Sequence, residues 1–221
     1  MKGLSCFLTV LSILSADPGA WAKETGRRPA NSVAKVLGSP TWTRFNINHL
    51  STSFNANGVS DVSLVNWGSL PGLFYPKGSG KGPVCASDLM WGAYAGIGGD
   101  IRIGGGSWGT TLEPGRILDN LQPESADLPK NRIYRVRPDI PPGNQTADIS
   151  SELGDGEGSA AEIYSQYDKD WTEWPWQEGA PFEDKNQNGI YEPSIDIPGV
   201  SGADQTIWGV ARDVPNADWG F

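Results

Sequence analysis

The sequence predicts a mainly β, loop-rich, β-sandwich-like domain with one short helix and a calcium-binding turn. Three observations carry that reading. The 221 residues include Gly 29 and Pro 17, which punctuate short β-prone runs and leave little room for long helices. One stretch, Ala160–Trp171, has helical character. Another, Asp184–Asp196, alternates oxygen-bearing side chains and turns sharply at a glycine.

Residues 1–22 stand apart. Lys2 precedes an apolar run, Leu4–Leu14, too short to span a bilayer, and Ala20-Trp21-Ala22 supplies a small-residue cleavage site. This reads as a secretory signal peptide cleaved after Ala22, so the mature chain is expected outside the cytoplasm with no membrane span. Only Cys85 remains after cleavage, which excludes an intrachain disulfide. Residues 23–40 are small, polar and basic, and read as a flexible leader.

A β-rich region is expected over 41–137. Trp42, Phe45, Ile47 and Leu50 open an apolar series before the turn residues Asn55–Gly58. Val62–Trp67 reads as a strand. Met90–Ala95 and Asp100–Ile103 read as a hairpin about Gly96–Gly99, and Asn131–Val136 alternates as a half-buried strand does. Residues 138–158 are rich in Pro, Gly and acids and read as a connection. In the last region, 159–221, Ser159 is the candidate N-cap of the helix, which cannot pass Trp174 because Pro175 follows, and Gln205–Val210 is the last strand. This region is expected to pack on the β-rich one.

The net charge of −9 is uneven: residues 150–221 hold 15 acids and 3 bases, the remainder 11 acids and 14 bases. An acidic balance disfavours nucleic acid as a partner. Several motif matches fail on context. Gly104–Gly109 fits a dinucleotide loop, but Thr110–Gly115 is a turn rather than a helix. Gly105–Gly109 also fits a nucleophile elbow, yet the one histidine, His49, lies upstream. Gly78–Gly82 lacks the early glycine and closing hydroxyl of a phosphate loop, and one His with one Cys disfavours zinc.

Asp184, Asn186 and Asn188 alternate and Gly189 follows, the opening of a calcium loop. Calcium takes six to eight oxygens, and Gly189 lets the chain turn so that these side chains and the Ile190 carbonyl face one point. Glu192 and Asp196 are the later acids. The twelfth position is Ile195 rather than an acid, and Pro193 and Pro198 bar an exiting helix, so a free-standing turn is expected instead of an EF-hand. A metal-free Asn/Gly surface turn uses the same residues and remains the alternative. The segment Tyr167–Glu178 interleaves Trp171, Trp174 and Trp176 with Asp170 and Glu173. Such a mixture suits a glycan-binding surface or a glycosidase acid pair. It equally suits an aromatic core beneath the acidic loop.

Five stretches carry a resemblance. They are Phe45–Thr52; Phe74–Lys81; Trp91–Tyr94 with Arg102–Gly104; Trp174-Pro175 with Gly179–Pro181; and Asp184–Pro193 running on to Ile197–Gly199 and Gly202–Trp208. Together they resemble the N-terminal region of large secreted Bacteroidetes-type proteins that commonly end in a type IX secretion sorting domain. The resemblance spans about Trp42 to Phe221. It implies an extracellular or cell-surface location without a defined reaction, and a calcium turn at Asp184, Asn186, Asn188 and Asp196. It also implies partners among downstream domains or other envelope proteins. The chain stops at Phe221 with no sorting domain, as expected of a truncated reading frame or a short family member. The combined expectation is a non-catalytic, calcium-stabilised structural or adhesive module. A carbohydrate-active protein and a fragment without function of its own are the alternatives.

Overall fold

The computed structural model describes residues 42–63, 71–94, 98–105, 112–155 and 157–213. The signal peptide and leader expected over 1–40, most of the Val62–Trp67 strand, and the Gly106–Gly109 part of the glycine motif lie outside them. Ten strands are described: β1 (Trp42–Phe45), β2 (Thr52–Asn55), β3 (Met90–Tyr94), β4 (Ile101–Gly105), β5 (Leu112–Pro114), β6 (Tyr134–Val136), β7 (Phe182–Glu183), β8 (Ile197–Pro198), β9 (Thr206–Trp208) and β10 (Ala211–Asp213). Two helices, α1 (Ser150–Gly154) and α2 (Ala160–Thr172), lie between β6 and β7.

The fold is mixed α/β, which corrects the mainly β expectation. The strands pair two by two and antiparallel, β1 with β2, β3 with β4, β5 with β10, β6 with β9 and β7 with β8. No closed sandwich forms among the described residues. Strands of two to five residues, interrupted by Gly and Pro, keep the ladders short, and beside the β1–β2 pair the chain adds isolated bridges such as Phe54 to Ser60 and Ser51 to Phe74. The expected hairpin is present, with Tyr94 opposite Ile101 and Met90 opposite Gly105. Turn geometry at Asn55–Gly58 also holds: Gly58 has φ +87° and its N–H donates to the Asn55 carbonyl at 2.9 Å.

Local chemistry explains α2. The Ser159 side chain accepts from the Glu162 N–H, and the Glu162 carboxylate accepts from the Ser159 N–H at 2.8 Å, a reciprocal capping box. At the other end the Glu173 N–H still donates to the Lys169 carbonyl, and Pro175 prevents continuation. Ile163, Tyr164, Tyr167 and Trp171 recur at helical spacing and are buried. A second helix, α1, arises within the stretch read as a connection. Its first turn is held by the Asp148 side chain, which accepts from the Ser150 N–H at 2.9 Å, and by the Leu153 N–H donating to the Ile149 carbonyl.

The side chains of α2 divide the core. Ile163, Tyr164 and Tyr167 pack with Ile140 and Ile149. Trp171 packs with Tyr134, Val136, Trp174, Ala180 and Tyr191. Three guanidiniums along and beside β6 tie the helical segment to these clusters. Buried Arg132 pairs with buried Asp170 and reaches Glu173 at 3.1 Å. Arg135 pairs with Glu157 at 2.6 Å and lies 4.9 Å from the Tyr167 ring centre. Arg137 meets Glu152 at 2.9 Å and Asp139 at 2.7 Å. Asp170 is satisfied further by the Arg135 N–H at 2.9 Å and the Gln166 amide at 2.8 Å.

Removing one member of a buried pair leaves the other charged without compensation, at a cost of roughly 3–5 kcal/mol. Asp170→Ala should therefore lower unfolding free energy in urea by about that amount. A loss below about 1 kcal/mol, the range of exposed pairs, would contradict the assignment.

Candidate functional site

The loop 184–196 springs from the shortest ladder, in which Phe182 pairs with Pro198 and Glu183 with Ile197. Its base is fixed by Asp196, which is buried. One carboxylate oxygen of Asp196 accepts from the Lys185 N–H at 2.9 Å, the other from the Glu192 N–H at 2.7 Å. Tyr191 turns inward between these points. Its hydroxyl donates to the Trp171 carbonyl at 2.7 Å, and its ring stands edge-on to Phe182 with centres 5.5 Å apart. The far side of the loop is thus anchored in the core while its tip is exposed.

At the tip the backbone wraps around the Asp184 carboxylate, which accepts from the Asn188 N–H at 3.2 Å and the Gly189 N–H at 2.6 Å. Gly189 has φ +75°, the left-handed conformation that the turn requires. The Asn186 and Asn188 side-chain oxygens accept from the N–H groups of Asn188 and Ile190 at 3.3 and 2.7 Å. Both amide nitrogens meet the same Glu192 oxygen, at 2.6 and 2.8 Å. Four of the sequence-predicted side chains are therefore brought together, and Asp196 sits behind them as a clip on the backbone.

The residue types are those calcium takes, two carboxylates and two amides with hard oxygens. In this arrangement the Asn186 and Asn188 oxygens accept from backbone N–H groups and both amide nitrogens face Glu192, so a calcium ion would have to displace those hydrogen bonds. Among the described residues no three His, Cys, Asp or Glu side chains gather in a group able to hold a metal ion. Any metal at this loop would depend on the amides and the Ile190 carbonyl.

The aromatic segment lies directly beneath. Trp171 and Trp174 are buried, 4% and 3% exposed, so their faces are closed to a stacking sugar. The Trp171 indole N–H donates to the Pro193 carbonyl at 3.0 Å and that of Trp174 to the Pro181 carbonyl at 2.9 Å, which ties both rings to the loop and its entry. Asp170 is buried against Arg132. Trp176 is half-buried and edge-on to Phe182, and Glu173 is exposed. His49 is exposed in a bend and Cys85 is half-buried.

One cleft escaped the sequence reading. It runs beside Glu173–Glu178 and is closed by residues remote in the chain, Arg116, Glu124, Lys130 and Trp208. Arg116 pairs with Glu178 at 3.0 Å, and Lys130 bridges Glu178 at 3.2 Å and Glu124 at 2.6 Å. Arg116, Glu124 and Lys130 lie tens of residues before Glu178, so no local signal in the sequence pointed to their meeting it. No helix among the described residues is long and apolar enough to cross a membrane. No family model, curated protein or solved structure matches the chain.

Two predictions follow from this geometry. Asp196→Ala strips partners from two backbone N–H groups and should cost about 2–3 kcal/mol in chemical denaturation. An effect within about 0.5 kcal/mol, as at ordinary surface sites, would contradict the clip. The Lys130 ammonium holds the Glu124 carboxyl below the usual carboxylate range. Because the folded pKa is depressed, this contribution is present above the unfolded value of about 4.3 and is lost as pH falls through the folded one. Stability curves of wild type and Lys130→Met should converge on the acid side and separate toward neutral pH. Curves parallel across that range would contradict the coupling.

Proposed function

We propose that the protein is a secreted, non-catalytic structural or adhesive module whose acidic C-terminal third is fixed by calcium. The observation that supports this reading most directly is the loop tip. Asp184 organises the turn through two backbone N–H groups, while Asn186, Asn188 and Glu192 converge beside it. Calcium at this point would relieve repulsion between the Asp184 and Glu192 carboxylates. It would also order a proline-containing loop that has few regular hydrogen bonds. Tyr191 and Asp196 would pass that order to the aromatic floor made by Trp171 and Trp174.

The signal-peptide pattern at residues 1–22 motivates the extracellular or cell-surface assignment, with partners among downstream domains or other envelope proteins. Extracellular calcium modules commonly bind in the range of about 10⁻⁴–10⁻³ M, and a site using two asparagines in place of aspartates suits that range.

A ligand that binds the native state alone raises the melting temperature with its concentration. Millimolar calcium should therefore raise the melting temperature of residues 23–221 above that in chelator, and Asp184→Ala should abolish the shift. A cooperative melt indifferent to calcium would overturn the proposal.

A further inference from the structure

The cleft beside Glu173–Glu178 has a feature unlike an ion site. Its charges form an alternating chain, Arg116 to Glu178 to Lys130 to Glu124, with contacts of 3.0, 3.2 and 2.6 Å. Each cation already meets an anion, so an incoming ion would have to displace a partner. Hydrogen-bonding capacity nevertheless remains. The Lys130 ammonium has three donors and meets two carboxylates, Arg116 has five and meets one, and each carboxylate offers about four acceptor positions. Donors and acceptors therefore alternate along one wall.

The floor is aromatic. Trp208 is half-buried at the cleft and stands edge-on to the buried Tyr134 ring, with centres 6.3 Å apart and planes at 64°. The buried Tyr134 ring in turn lies against the Arg132 guanidinium, 3.8 Å from its centre. The cavity measures about 140 Å³, and it is open on one side. That is below the roughly 300 Å³ at which drug-sized ligand pockets begin, and suits a single small ring.

We propose that this cleft binds one neutral sugar ring, with Trp208 beneath its apolar face and the Arg116–Glu178–Lys130–Glu124 wall on its hydroxyls. Each hydroxyl both donates and accepts, which matches a wall of alternating sign; a carboxylate or an ammonium matches only half of it. This site uses residues separate from the calcium loop and does not rest on calcium being bound.

The Trp208 indole N–H resonance, assigned in ¹H–¹⁵N spectra with Trp208→Phe, reports on the floor directly. Glucose, galactose, mannose and N-acetylglucosamine are titrated singly into the full chain to tens of millimolar. At least one should move this resonance saturably. Arg116→Ala and Lys130→Met, which replace exposed cations, should weaken that sugar about tenfold each, as loss of a hydrogen bond to a charged group implies. Glucuronate and glucosamine should bind no tighter than their neutral counterparts, with little dependence on salt. No saturable shift at Trp208 with any of the four sugars, in protein that melts cooperatively, would overturn the proposal. Tighter, salt-sensitive binding of glucuronate or glucosamine would overturn it as well, since the cleft would then select an ion. Because the melt with calcium and chelator is a separate measurement, failure of this site and failure of the calcium reading are distinguishable.

Discussion

Burial of three arginines around β6 is the constraint on which the rest of the structure depends. A guanidinium removed from water is tolerated only where an acid and further acceptors meet it. Arg132, Arg135 and Arg137 are each matched by an acid from the α1–α2 segment: Asp170, Glu157 and Glu152 respectively. Of these acids only Asp170 lies on α2, where it meets the Arg132 guanidinium and the Arg135 N–H and so sets the rotation and height of α2 against β6. Glu152 in α1 and Glu157 just before α2 hold the approach to the helix in the same way. Hydrophobic contact alone is less selective, because Tyr and Trp side chains can repack with modest loss.

With α2 placed, Trp171 is directed under the 184–196 loop, and Trp174 follows at the point where Pro175 ends the helix. The loop then rests on an aromatic floor and is hydrogen-bonded to it through Tyr191 and Pro193, while Pro181 at its entry accepts from Trp174. Its exposed tip is organised by its own polar side chains. An anchored base beneath a polar tip is what a metal-ordered loop needs, since the cation then has only the last few residues to fix.

Legibility in the sequence followed distance along the chain. Helix α2 was readable because Ser159 and Pro175 act within one turn of its ends. The β3–β4 hairpin was readable because glycines separate two short β-prone runs. The oxygen pattern at Asp184, Asn186 and Asn188 was readable for the same local reason. Helix α1 was not, because five residues carry no periodicity and Asp148 looks like one acid among many. In the acidic last third, Glu152, Glu157, Asp170 and Glu173 meet arginines 15 to 41 positions away, pairings with no local signature. The division of the tryptophans into floor and surface was equally hidden. Trp171 and Trp176 look alike in sequence, and only the helix phase and the Pro175 turn separate them.

In the proposed function calcium would order the tip of the 184–196 loop on a base already fixed by Asp196 and Tyr191. Backbone amide resonances followed during a calcium titration test this. Saturable movement should concentrate at Asn188, Gly189 and Ile190, whose N–H groups meet the candidate ligands, with Lys185 and Tyr191 nearly unmoved. No saturable change at those three amides, or a change centred elsewhere in the chain, would contradict it.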